Sequence, residues 1–123
     1  MNKNITGAEL EIMQILWREE RALTLAELRD ELTRSKLWNK STVQTLVLRL
    51  RDKGVIAPLD KYGPAEYEAL VTEDEYLLAE ERAVLEKFGS GKRLAIAMVR
   101  NGHLSDSDID ELRSFFTTGG ETK

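Results

Sequence analysis

The chain has 123 residues, no cysteine, a single histidine and a formal net charge of −4 at pH 7. That length supports one domain or two small lobes around an apolar core that needs no staple, and the missing thiols exclude disulfides, thiolate metal sites and a cysteine nucleophile. The opening Met1-Asn2-Lys3-Asn4-Ile5-Thr6 holds no apolar signal core and no run approaches the roughly 18 to 20 apolar residues of a membrane span, so a soluble, cytoplasmic protein without a membrane segment is expected.

Helix starts are marked by capping boxes, in which a hydroxyl accepts from the backbone N–H three residues on and the carboxylate there reaches back. Thr6-Gly7-Ala8-Glu9 predicts a helix to Glu20 with Leu10, Met13, Leu16 and Trp17 on one face, and Thr24-Leu25-Ala26-Glu27 predicts a second with Leu25, Leu28 and Leu32 aligned. In the third, Asn39 is the N-cap, Val43, Leu46, Val47 and Leu50 form a buried stripe at three- and four-residue spacing, and Gly54 is the stop. A neighbouring stripe carries Thr42, Thr45 and Arg49, with Ser41 and Gln44 beside it: hydroxyls, an amide and a guanidinium suited to phosphates and base edges.

After Gly54 the pattern changes. Val55-Ile56-Ala57-Pro58-Leu59 and Ala65-Glu66-Tyr67-Glu68-Ala69-Leu70-Val71 flank the turn-prone Asp60-Lys61-Tyr62-Gly63-Pro64, which predicts a β-hairpin, and Leu23-Thr24-Leu25 offers a third short strand. The fold class is therefore mainly α with a small β-hairpin: a winged helix-turn-helix over residues 1–71, with Lys61 and Tyr62 at the wing tip. Helices at 73–88, 91–101 and 105–117, the last two following breaks at Gly89-Ser90-Gly91 and Asn101-Gly102, make a second lobe over 72–117, and 118–123 reads as a disordered tail.

That lobe is rich in apolar side chains, among them Tyr76, Leu77, Ala83, Val84, Phe88, Leu94, Ile96, Met98, Val99, Ile109, Leu112, Phe115 and Phe116. Three short helices cannot bury them all against one another, and a second copy of the lobe is the simplest cover. A homodimer is expected, with its interface drawn from these residues.

Charge is unevenly spread. Between residues 34 and 53, Arg34, Lys36, Lys40, Arg49, Arg51 and Lys53 face the single acid Asp52, whereas between 66 and 86 eight acids face only Arg82. Runs of this kind are ordinarily solvated helix faces. The basic run coincides with the Ser/Thr-rich helix start, however, and nucleic-acid binding depends on where charge sits rather than on its sum. The expected contacts to double-stranded operator DNA are Asn39, Lys40, Ser41, Thr42, Gln44, Thr45, Arg49, Lys53, Lys61 and Tyr62. The competing role for Arg49 is a salt bridge to Asp52, and for Thr42 and Thr45 plain helix surface.

Other residues read as structural. Trp17 and Trp38 lie beside apolar stripes and are expected as core or lobe-packing residues rather than base-stacking platforms. His103 lies in a loop without further nitrogen or sulfur donors, so no metal site is assigned. Asp106, Asp108 and Asp110 mimic the start of a calcium loop, but Glu111 stands where its sharp turn needs glycine; they are first-turn carboxylates of a helix. No carboxylate pair is joined by a histidine, a phosphate loop or a nucleophile elbow, so neither enzyme nor cofactor is expected. The alternative to a DNA-binding regulator is a winged-helix module that docks a protein.

Four motifs carry a resemblance: Ala8-Glu9-Leu10-Glu11-Ile12-Met13-Gln14-Ile15-Leu16-Trp17, Ser41-Thr42-Val43-Gln44-Thr45-Leu46, Arg49-Leu50-Arg51-Asp52-Lys53-Gly54 and Leu70-Val71-Thr72-Glu73-Asp74-Glu75-Tyr76. In their order and spacing the chain, from about Thr6 to Phe116, resembles the BlaI/MecI/CopY family of penicillinase-type repressors. The resemblance implies an N-terminal winged helix that binds inverted-repeat operators and a helical lobe that makes a homodimer. By position, the family's recognition helix falls on Asn39, Ser41, Thr42, Thr45 and Arg49. Where members commonly carry Ser-Pro-Lys, this chain has Asn39-Lys40-Ser41, so the operator sequence does not carry over. The β-lactamase repressors are cut by a signalling protease at an Asn-Phe bond, and the corresponding pair here is Ala97-Met98, which speaks against induction by that cut. Copper-responsive members use a C-terminal cysteine cluster, which a chain without cysteine does not have.

Overall fold

The computed structural model describes residues 4–117, so the tail expected at 118–123 lies outside the described residues. In chain order it contains α1 (Gly7–Glu19), β1 (Leu23–Thr24), α2 (Leu25–Lys36), α3 (Lys40–Asp52), β2 (Ile56–Pro58), β3 (Glu66–Ala69), α4 (Glu73–Phe88), α5 (Lys92–Arg100) and α6 (Asp106–Thr117). By contact the chain forms two units that divide between Ala79 and Glu80.

Local chemistry explains the helix starts. Thr6 and Thr24 make complete capping boxes with Glu9 and Glu27, and Thr72 with Glu75 and Ser105 with Asp108 make the same reciprocal pair of bonds. Each box satisfies donors that the first helical turn leaves without partners. The stops of α1 and α2 have no sequence signature: Glu20 and Leu37 take left-handed backbone at φ 55° and 59° without being glycine. Such a residue costs roughly 1 kcal/mol, and here it turns the chain sharply enough for α2 and α3 to be joined by Leu37, Trp38 and Asn39 alone.

In the first unit, α1, α2 and α3 enclose a core that β1 and β2 close. Ile12, Met13, Leu28, Leu32, Val43, Val47, Leu50, Val55 and Ile56 are buried there, each large aliphatic side chain contributing about 1.5–3 kcal/mol by leaving water. The face of α1 is wider than its heptad spacing predicts. Ile12 and Ile15 are buried with Met13 and Leu16, while Leu10 and Trp17 are only partly so, because α1 packs against both α3 and β3.

The three strands form an antiparallel sheet in the order β1-β3-β2, with Tyr67 in register between Leu23 and Pro58. Leu25, read as part of the short strand, instead opens α2, because Thr24 is that helix's N-cap. Pro58, which has no N–H, ends β2, yet Leu59 N–H still reaches the Glu66 carbonyl at 2.8 Å. Trp17 Nε1 donates to the Val71 carbonyl at 2.8 Å, and its ring meets Tyr76 at 5.7 Å between centroids. The first turns of α4 are thereby held against α1, although the capping box at Thr72 marks where helical sequence begins.

The second unit holds the end of α4 with α5 and α6, and no described residue of these three helices is buried. Val84, Ala97, Leu104 and Ile109 are half-buried, while Leu85, Phe88, Leu94, Ile96, Met98, Val99, Leu112, Phe115 and Phe116 are exposed. Asp106 and Asp108 lie in the first turn of α6, where Ser105 caps the helix and the Asp108 carboxylate accepts from the Ser105 N–H in return, and Asp110 pairs with Arg113 at 3.0 Å. Among the described residues no helix is long and apolar enough to cross a membrane.

Candidate nucleic-acid interface

Helix α3 has two chemically distinct sides. Val43, Leu46, Val47 and Leu50 are buried against the core, and Ser41, Thr42, Gln44, Thr45 and Arg49 are exposed. Thr42, Thr45 and Arg49 fall in one row because residues three and four apart share a helix face. Asn39 Oδ1 accepts from the Thr42 N–H and from the Ser41 hydroxyl, both at 2.9 Å. The cap thus fixes the helix start while the backbone N–H groups of Lys40 and Ser41 remain at the positive end of the helix dipole, where an anion is favoured.

Ion pairing sorts the basic run, and the patch is smaller than its charge count. Arg34 pairs with Glu31 at 2.9 Å, Lys36 with Glu11 at 3.6 Å, Arg51 with Asp52 at 3.3 Å and Lys53 with Glu9 at 2.5 Å. Lys40 and Arg49 are exposed, and neither has a salt-bridge partner among the described residues. Asp52, the competing partner for Arg49, is taken by Arg51. Of these two cations, Arg49 lies in the exposed row with Thr42 and Thr45, and Lys40 is the first residue of the helix.

Lys53, expected at the DNA, turns its ammonium inward instead. It donates to Glu9, a carboxylate that is 1% exposed, and to the Asn4 carbonyl at 2.9 Å. Burial pushes the Glu9 carboxyl up, but hydrogen bonds from Lys53 and from Thr6, with the nearby ammonium charge, outweigh it and hold the group below its ordinary value. Sequence missed this pair because its members are 44 residues apart.

The turn between β2 and β3 carries Lys61 and Tyr62. Tyr62 is 100% exposed, and Lys61 pairs with Glu66 at 2.8 Å on the surface, an attachment weak enough to exchange for a phosphate. Sequence reading also missed Arg29 on α2, whose Nη2 donates to Gln44 Oε1 at 3.2 Å. Its position next to Leu28 in the buried stripe was the available signal, since a long side chain at the edge of that face can reach the neighbouring helix.

Of the expected dimer residues, Tyr76 is engaged with Trp17 in the first unit. Leu77, Phe88, Leu94, Met98, Leu112, Phe115 and Phe116 are exposed, and Val84 and Ile109 are half-buried. Arg93 stacks over the Phe88 ring at 5.8 Å, and Phe115 meets Phe116 edge-on at 6.5 Å. Trp38 is partly buried against the core, and His103 is exposed.

The family model described as penicillinase repressor matches residues 5–118. The chain belongs to that family. It is 28% identical over 110 residues to the penicillinase repressor of Bacillus licheniformis, covering 88% of this chain and 85% of the relative. It is 30% identical over 112 residues to the methicillin resistance regulatory protein MecI of Staphylococcus aureus, covering 89% and 90%. Among solved structures, the DNA binding domain of the repressor BlaI superposes with a TM-score of 0.54 at 30% identity, over 60% of this chain and 89% of that one. The winged-helix fold agrees with that match, and membership places this penicillinase-repressor-family protein among DNA-binding transcriptional repressors.

Proposed function

We propose that the protein represses transcription in the cytoplasm by occupying an inverted-repeat operator as a homodimer, with α3 of each subunit in the major groove. The observation that carries this reading is the row Thr42, Thr45 and Arg49, exposed on the outer side of a helix whose inner side is the core. Asn39, Ser41 and Lys40 at the helix start bind phosphate through free N–H groups, the helix dipole and an unpaired ammonium. Gln44, Thr45 and Arg49 read or position on base edges, and Lys61 and Tyr62 reach the backbone from the wing. Lys53 has no part in DNA contact, being committed to Glu9.

Dimerisation is supported by the apolar side chains of α4–α6, none of which is buried within one chain. Phe88, Leu94, Leu112, Phe115 and Phe116 are large apolar side chains left exposed to water, as at surfaces that dock a partner. A two-fold dimer brings two copies of α3 to half-sites spaced by about 34 Å or a multiple of it. The mechanism is occlusion of promoter DNA, with no chemical step. Ala97-Met98 lies within α5 in place of an Asn-Phe pair, so release by a signalling protease at that bond is not part of the proposal.

The test is selection of sites from a randomised duplex pool at about 150 mM salt, an ionic strength at which weak phosphate attraction alone is largely screened. An enriched inverted repeat with half-sites separated by whole helical turns supports the reading. No enrichment, together with binding indifferent to salt, refutes it in favour of a winged helix that docks a protein.

A further inference from the structure

A glutamine side chain is an ambiguous reader of DNA, because its amide carries one acceptor and two donors and can offer either end. Adenine exploits both ends at once, donating from N6 to the amide oxygen and accepting at N7 from the amide nitrogen. For Gln44 the ambiguity is removed within the protein. Arg29 Nη2 lies 3.2 Å from Gln44 Oε1, and a guanidinium has donors only, so the end of the amide that faces it must be the oxygen.

The arginine is itself held in place. Arg29 Nε is buried and makes no hydrogen bond among the described residues, so the stem and inner edge of the guanidinium are packed between helices rather than swinging in solvent. Gln44 is exposed on α3, beside the row Thr42, Thr45 and Arg49. With Oε1 turned toward α2, its two N–H donors are the end left for a ligand.

Resting on the reading that α3 enters the major groove, we infer that Arg29 is a specificity-determining positioning residue that turns the N–H end of Gln44 toward DNA. That end is matched by guanine, whose major-groove edge offers acceptors at both N7 and O6, whereas the two-bond pairing with adenine also needs Oε1, which is turned toward Arg29. Arg29 touches no base in this arrangement; it acts through Gln44.

Site selection with the full-length protein and three variants tests this. The wild type enriches an inverted repeat with guanine at the base pair whose preference is lost in Gln44→Ala. In Arg29→Met, which keeps an unbranched stem in the packed space, Oε1 is released and that same base pair shifts toward adenine by about tenfold in relative affinity, the other positions holding. Gln44→Glu keeps a partner for Arg29 but has no donor, and it loses the guanine preference even if Arg29→Met proves poorly folded. Adenine at the Gln44 position in the wild type, no base pair that depends on Gln44, an unmoved preference in folded Arg29→Met, or guanine retained by Gln44→Glu each overturns the inference and leaves the repressor reading intact. Failure of the wild type to enrich any sequence overturns both.

Discussion

Lys53→Met strips the partner from a carboxylate that is 1% exposed. Removing one member of a buried ion pair costs roughly 3–5 kcal/mol, because the other charge stays buried without compensation. Two features of this site lower that figure. The Lys53 side chain is 30% exposed, so water can enter where the ammonium was, and Glu9 keeps the bond from the Thr6 N–H at 3.0 Å. The expected loss is about 2–3 kcal/mol for the first unit.

The pH dependence has a definite sign. In the wild type the Glu9 carboxyl is held below its ordinary value, so the pair contributes stability above the ordinary carboxylate range and loses it as pH falls through the lowered value. Without Lys53, burial faces only the Thr6 bonds and raises the Glu9 pKa, so the deficit is largest near neutrality and shrinks on acidification. Urea unfolding followed by tryptophan fluorescence measures it, since Trp17 and Trp38 both lie in the first unit. With slopes of about 1–3 kcal/mol per molar urea, a loss of that size lowers the midpoint by about 0.7–3 M. A deficit under about 0.5 kcal/mol near pH 7, or one that does not shrink near pH 4.5, would refute the assignment of Glu9–Lys53 as a buried, compensated pair.

Three further outcomes are expected. Arg49→Ala and Thr45→Ala should each weaken operator binding by about 1–3 kcal/mol and flatten its sequence preference while circular dichroism and association state are unchanged; full affinity for the selected site in fluorescence anisotropy would move the reading surface elsewhere. Lys40→Ala should reduce the slope of log affinity against log salt by about 0.9, whereas Lys53→Met should leave that slope alone; an equal change in both would mean that Lys53 reaches the DNA after all. Leu112→Asp or Phe115→Asp should give monomers in sedimentation and weaken operator binding by at least about tenfold, since each half-site then binds alone; wild-type protein sedimenting as a monomer at micromolar concentration would defeat the dimer.

Every helix of this protein could be read from neighbouring residues, for a physical reason. A capping box spans four positions and an apolar stripe repeats every three or four, so Thr6 with Glu9, Thr24 with Glu27, Thr72 with Glu75 and Ser105 with Asp108 announce starts that the backbone adopts. The hairpin was legible from the β-branched and aromatic residues that flank its Gly63-Pro64 turn, and the outer face of α3 from the same periodicity that identified its buried face. The exposed row Thr42, Thr45 and Arg49 follows from that inner stripe.

What local pattern could not convey is which distant groups meet. The charge count over residues 34–53 assumed that each cation was free; Glu31, one turn back on α2, pairs with Arg34, and acids of α1 neutralise Lys36 and Lys53 across the fold. Sequence offered the short strand at Leu23-Thr24 but not its partners Tyr67 and Glu66, and Trp17 found its acceptor at Val71, 54 residues away. Glu20 and Leu37 take left-handed backbone where no glycine marks it, since a packed core can impose a conformation that the isolated residue disfavours. Periodicity is a property of neighbours along the chain and is written in the sequence. Partners for buried charge and for an amide oxygen such as that of Gln44 are chosen by packing, and only the tertiary structure decided them.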